Sequence, residues 1–301
     1  MAAVSSDKAL QLLVEGNQRF VAGESNYPRS GMERRCETFA GGQHPVATIL
    51  SCADSRVPPE YIFDAGIGDL FVIRVAGNVS DTDEIATIEY GAGHLGTPLI
   101  VVMGHSKCGA VTAVVDGAPL HGNLALLVDN IQPAAEKIKT KFPQLTGAPL
   151  VAKAIRANVF QSMQDLIENS DDVRALIKDK KVTLVGALYD LHSGSVEMLG
   201  AHPRESELLS APPKPKAKDA HAEQIKGGHD AAPARASPKK PAEQADTQHE
   251  GHSAAPAHEG ETHADADLKQ EPSPVKKYGP VAAFSVGSLA LSALVIHLLR
   301  R

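Results

Sequence analysis

Two clusters of side chains able to bind a metal follow apolar runs in this sequence. Cys52-Ala53-Asp54-Ser55-Arg56 comes directly after Ala47-Thr48-Ile49-Leu50-Ser51, and His105-Ser106-Lys107-Cys108-Gly109 comes directly after Val101-Val102-Met103-Gly104. Two thiolates and an imidazole are soft and borderline ligands that suit Zn²⁺. Three protein ligands leave a fourth tetrahedral position open, the arrangement of a catalytic rather than a structural site. An H-x-x-C spacing on its own is as readily a pair of core residues; its pairing with C-x-D-x-R after a second apolar run is what makes it specific. Cys108 also stands at the start of a helix expected over Gly109 to Val115, and a helix N-terminus favours the thiolate that metal binding requires.

These side chains need strands to carry them. Apolar, β-branched runs at Val46 to Leu50, Leu70 to Val75, Leu99 to Met103 and Val182 to Leu188 alternate with helical stretches. That alternation predicts an α/β domain, a mainly parallel sheet flanked by helices, with strand order left open. In open sheets of this kind the carboxyl ends of the strands line the functional crevice, where both clusters would converge. Ala9 to Val21 has helical spacing, and Leu124 to Phe142 and Leu150 to Asn169 continue the helical pattern, with Pro133 kinking or dividing the first of them. Asn169-Ser170-Asp171 supplies capping residues for a short helix through Lys178. After the turn at His192-Ser193-Gly194, Ser195 to Leu199 is a further strand that could pair antiparallel to the one before it.

Beyond residue 200 the chain becomes a different polymer. Residues 201–280 are mostly Ala, Pro, Lys, Glu, Asp and His with almost no large apolar side chain, too little to offset the entropy of ordering, and are expected to form a disordered linker. Val281 to Leu299 holds no acid, Lys or Arg and is bracketed by Lys276, Lys277, Arg300 and Arg301. As a helix rising ~1.5 Å per residue it approaches the roughly 30 Å hydrocarbon thickness of a bilayer, so it is expected to be a transmembrane anchor. The domains are therefore read as 1–200 catalytic, 201–280 linker and 281–299 membrane helix. With no apolar run of a secretory signal at the N-terminus, the catalytic domain is placed on the cytoplasmic side of the membrane. The net charge of −6 and the scattered basic residues argue against nucleic acid as a partner. Only three cysteines occur, and Cys36, without a partner motif, is expected to be a buried reduced thiol.

On the segments Ser51 to Arg56, Asp69 to Asn78, Ile88 to Tyr90, Leu99 to Ala110 and Tyr189 to Gly194, the first 200 residues resemble the β-class carbonic anhydrases of bacterial type. The resemblance implies one Zn²⁺ per subunit held by Cys52, His105 and Cys108, with Asp54 and Arg56 as a catalytic pair. It implies reversible hydration of carbon dioxide to bicarbonate and a proton, and a homodimer or higher homo-oligomer with active sites near the protomer interface. In related proteins Asp54 can instead take the fourth zinc position and shut the site, so it is also a conditional ligand. Gln43, Phe71 and Tyr90 match positions that line the substrate pocket, and Gly109 a backbone position beside the metal; Phe71 and Tyr90 could equally be plain core. Ala76 stands where the plant-like pattern has Val. The chain has no Trp, so an effector pocket built around one is absent in that form.

The residues support the same chemistry from below. Asp54, two positions from Cys52, can accept a hydrogen bond from water at the metal, while Arg56 keeps that carboxylate ionised and oriented. Zinc acidifies water, so hydroxide is available near neutrality to attack the carbon of carbon dioxide. Two alternatives use the same ligands: a hydrolase of a carbon dioxide analogue such as carbon disulfide, and a non-catalytic zinc scaffold at a membrane. An intact Asp54 and Arg56 speak against the scaffold. His44, His94, His121 and His192 could relay protons, and none is singled out. The linker histidines, among them His221, His229, His249, His252, His258 and His263, are read as part of a solvated tether.

Overall fold

The computed structural model describes residues 4–212. The rest of the expected linker and the apolar segment 281–299 lie outside the described residues; among those described, no helix is long and apolar enough to cross a membrane.

A five-stranded sheet organises the domain, with strands β1 (Ala47–Cys52), β2 (Leu70–Val75), β3 (Leu99–His105), β4 (Thr183–Tyr189) and β5 (Val196–Gly200) in the order β2-β1-β3-β4-β5. The first four are parallel and β5 runs antiparallel beside β4. Every residue of β1 and of β3 is buried. This is why both strands read in the sequence as unbroken apolar runs: with helices on either face, neither side of the strand needs to be polar. Side chains still alternate between two cores. Ala47 and Ile49 pack with Leu99, Val101 and Met103 on one face, while Leu50 packs with Ile100 and Val102 on the other.

Helices cover both faces. The first is α1 (Ser6–Ala22), capped by the Ser5 side chain, and it buries Ala9 and Leu13 against the first core. Then come α2 (Met32–Gly41), α3 (Pro59–Ile62), α4 (Thr82–Glu89) and α5 (Gly109–Asp116). The expected helix over Leu124 to Phe142 is divided into α6 (Asn123–Asp129) and α7 (Gln132–Lys141), and Pro133 lies in the first turn of α7, where its missing N–H breaks no hydrogen bond. The longest, α8 (Gly147–Asn169), lays Ile155, Val159, Met163 and Leu166 on the sheet. It can approach closely because β3 offers Gly104, where a Cβ would lie 2.7 Å from Val159 Cγ2. The Ser170 side chain caps α9 (Asp171–Lys178) as expected.

Two features depart from the sequence reading. A further helix, α10 (Glu205–Ser210), lies past the limit of 200 and buries Leu208 in the α8–α9 core. Arg174, itself buried, donates to the carbonyls of Leu208 and Ala211 and ties that helix down. Cys36, expected to be buried, is exposed. The reason is that α2 buries none of its residues within the protomer: Met32, Cys36 and Phe39 recur at helical spacing on a face turned away from the sheet, and Phe39 is 94% exposed.

Candidate metal centre

The sheet order changes direction at β1. The chain crosses from β1 to β2 on one side and then returns to add β3 on the other, so a crevice opens beyond the carboxyl ends of β1 and β3. Cys52 is the last residue of β1 and His105 the last of β3. Cys108 is the cap residue before α5, brought back over the crevice by a turn in which Lys107 has φ 55°. The ligand atoms of Cys52, His105 and Cys108 all lie within 4.8 Å of one another, and all three residues are buried.

Their chemistry is that of an ion site. His105 Nδ1 faces the Ser106 carbonyl at 2.9 Å, so this nitrogen must carry the proton and donate. That leaves Nε2 with its lone pair, buried and without a hydrogen-bond partner among the described residues. The Cys52 thiol is drawn down from its ordinary value, chiefly by the Cys108 thiol facing it and then by the backbone N–H groups of Asp54 and Gly77. Cys108 is raised, first by Cys52 and then by burial. Two buried sulfurs this close to each other and to an imidazole, one of them favouring the thiolate, suit a divalent cation between them. A bare imidazole nitrogen and two thiols converging in a buried pocket fit Zn²⁺.

Asp54 and Arg56 stand at the rim. Arg56 Nε donates to Asp54 Oδ1 at 2.9 Å and Nη2 donates to Oδ2 at 2.7 Å, a bidentate pair to which the Arg56 backbone N–H adds a bond of 3.0 Å to Oδ1. The guanidinium holds the Asp54 carboxyl well below the usual carboxylate range. Oδ2 is also 3.9 Å from His105 Nε2, so the carboxylate is next to the ligand cluster while turned to Arg56 rather than into it.

The other expected positions divide. Gly109 is the first residue of α5, directly after Cys108, with nothing within 4 Å of where a Cβ would be. Phe71 and Tyr90 meet each other, with ring centroids 5.8 Å apart. They do not meet the ligands of the same protomer. Phe71 is in register with Thr48 and Cys52 with Val75, so about four strand residues, ~13 Å, separate the two levels. Exposed Gln43, preceding β1, is at that same amino end. Among the histidines considered as relays, His94 stacks on Tyr90 at this end, with centroids 5.4 Å apart.

Two contributors were not singled out in the sequence. Arg74, in β2, donates from Nε to the Cys52 carbonyl at 3.0 Å and from Nη2 to the Asp54 carbonyl at 2.6 Å, pinning the backbone between ligand and acid. An Arg inside an otherwise apolar strand was its only signal. Gly77, in the short turn after β2, donates its N–H to Cys52 Sγ at 3.3 Å.

A family model described as carbonic anhydrase matches residues 47–196. Carbonic anhydrase 2 of Mycobacterium tuberculosis is 37% identical over 190 residues, covering 62% of this chain and 89% of the relative. A carbonic anhydrase of Mycolicibacterium smegmatis is 34% identical over 194 residues, 63% of this chain and 91% of the relative. Among solved structures, the β-carbonic anhydrase CafA of Aspergillus fumigatus superposes with a TM-score of 0.54 at 27% identity, covering 66% of this chain and 94% of that one.

Proposed function

This chain belongs to the β-carbonic anhydrases and hydrates carbon dioxide, and from that premise we propose that Cys52, His105 and Cys108 hold one Zn²⁺ per subunit, with Asp54 and Arg56 completing the catalytic site. The observation that carries the residue assignment is the bare, buried Nε2 of His105 facing two thiols within 4.8 Å, with an ionised carboxylate 3.9 Å away. Zinc at that position supplies a Lewis acid that makes water nucleophilic near neutral pH. The protein supplies the rest. Arg56 keeps Asp54 charged, so Asp54 Oδ2 is an acceptor only, and it orients the attacking water by taking a hydrogen bond from it. Arg74 keeps the Asp54 backbone at a fixed distance from Cys52. A purely structural zinc site needs no such pair.

Two broad clefts, of about 610 Å³ against Tyr27, Tyr61 and Ile67 and about 490 Å³ against Tyr90, His94 and Asp172, lie away from the ligands. A substrate as small as carbon dioxide needs neither. Phe71, Tyr90 and Gln43 serve the pocket in a homo-oligomer, where a second copy brings them to the ligands they do not reach in their own protomer. The uncovered apolar face of α2, with Met32 and Phe39, supports such an assembly.

Loading the protein with zinc, measuring carbon dioxide hydration by stopped flow, and repeating after a chelator has removed the metal tests the assignment. Activity should fall to the uncatalysed rate on chelation and return with zinc. Rates indifferent to zinc would defeat it.

The apolar segment Val281 to Leu299, flanked by basic pairs, anchors the enzyme in a membrane; its freedom from charge over a span-length stretch supports this. The full-length chain should sediment with membranes, and a chain ending at Pro280 should stay in the soluble fraction. Recovery of both as soluble protein would end the proposal.

A further inference from the structure

Gly77 is an unusual hydrogen-bond donor to a metal ligand, because its own backbone does little to hold it in place. It has φ 75° and ψ 13°, and a Cβ there would lie 2.6 Å from Ile131 Cδ1, so the position requires glycine. Glycine has the widest conformational freedom of any residue, so the direction of its N–H depends on what grips the adjacent peptide groups. One grip comes from far away in the chain. Asn158, in the middle of α8 and fully buried, donates from Nδ2 to the Gly77 carbonyl at 2.7 Å across a separation of 81 residues.

Hydrogen-bond satisfaction alone does not explain an amide at this place. Asn158 Oδ1 is buried and has no hydrogen-bond partner among the described residues. An apolar side chain would leave the Gly77 carbonyl unpaired instead, so either choice strands one buried acceptor. The neighbours on α8, Ala154, Ile155 and Val159, are apolar and packed, so a polar group there carries a desolvation cost. What the amide adds is direction: it fixes the Gly77–Asn78 peptide on one side of the glycine, which limits how the Ala76–Gly77 peptide on the other side can turn the Gly77 N–H presented to the Cys52 sulfur.

We propose that Asn158 is a positioning residue for the metal centre, acting through Gly77 to keep a hydrogen bond on the Cys52 sulfur. The inference rests on the reading of Cys52, His105 and Cys108 as the metal site. A hydrogen bond to a ligating sulfur draws electron density from it, so the sulfur donates less to the metal and the metal stays a stronger Lewis acid. Asn158 touches neither substrate nor metal.

Cobalt(II) substituted into the full-length protein provides a readout separate from activity, because its sulfur-to-metal charge-transfer band reports how electron-rich the sulfurs are. Asn158→Leu has similar size and no donor; Asn158→Ser is small, remains polar and is too short to span to the Gly77 carbonyl. In both variants the band should move to lower energy than in the unsubstituted protein, whatever happens to the melting temperature. If Asn158→Leu does not fold, Asn158→Ser carries the same measurement. A lowered melting temperature with the band at its original energy would overturn the proposal and leave Asn158 a structural residue. Absence of any sulfur-to-cobalt band in the unsubstituted protein would instead overturn the metal-site reading, and the role of Asn158 with it.

Discussion

His105→Ala should yield a protein that neither retains zinc nor hydrates carbon dioxide above the uncatalysed rate. The imidazole is fully buried at the end of β3, and its Nδ1 bond to the Ser106 carbonyl fixes both tautomer and ring plane. Asp54, the conditional ligand, has Oδ2 3.9 Å from Nε2 but is held by Arg56 at the rim, and no other side chain among the described residues joins the cluster of potential ligands. The remaining two sulfurs offer too few ligands from the protein to hold the ion tightly. Removing a buried ring also leaves a cavity, which costs about 2–5 kcal/mol for large-to-alanine changes, so a lower melting temperature is expected as well. His105→Gln separates the two effects, since it fills most of the space without an imidazole nitrogen. Zinc content after dialysis against a mild chelator, with stopped-flow hydration on the same samples, decides the matter. One zinc per subunit and undiminished turnover in both variants would show that His105 is not a ligand.

The ligands were legible because each belongs to a local pattern: a buried strand, then a polar turn, then for Cys108 a helix start. Cys52 and His105 each end a parallel strand, and parallel α/β architecture puts the carboxyl ends of such strands on one edge of the sheet. Strand order was not legible. With β1 and β3 buried on both faces, their apolar runs carry no sign of which neighbour lies on which side. Phe71 and Tyr90 illustrate a different limit, because resemblance placed them in a pocket but the register of β2 against β1 puts them at the far end of the sheet from the ligands. The exposure of Cys36 depended on which side of α2 meets the domain, and that helix buries nothing in the protomer. Asn158 and Gly77 are joined by one hydrogen bond over 81 residues, a relation that no spacing within a helix or strand encodes. Past residue 200, Leu208 and Leu209 were too small a signal for α10; the buried Arg174, bonded to the Leu208 carbonyl, helps make the short helix part of the domain.

Asp54→Asn should keep zinc and lose turnover. The amide has the carboxylate's shape but no charge, and one of its two positions becomes a donor that can face the attacking water wrongly. Arg56, whose Nε and Nη2 now both meet the carboxylate, would lose the charge partner that holds it at the rim. Groups that orient or accept a proton in this way contribute about 10²–10⁴ to rate, so a fall of at least ~100-fold in kcat/KM is expected. Because Cys52, His105 and Cys108 are untouched, zinc content should remain at one per subunit, which distinguishes this variant from His105→Ala. Arg56→Ala tests the other half of the pair. The guanidinium is the largest influence lowering the Asp54 carboxyl, so without it that carboxyl moves up toward its ordinary value. Asp54 would then take up its proton at a higher pH than before, and the acid limb of the rate profile should begin at higher pH than in the unsubstituted enzyme. A zinc-loaded Asp54→Asn protein with full activity would show that the carboxylate does not orient the attacking water, even though it lies 3.9 Å from His105 Nε2.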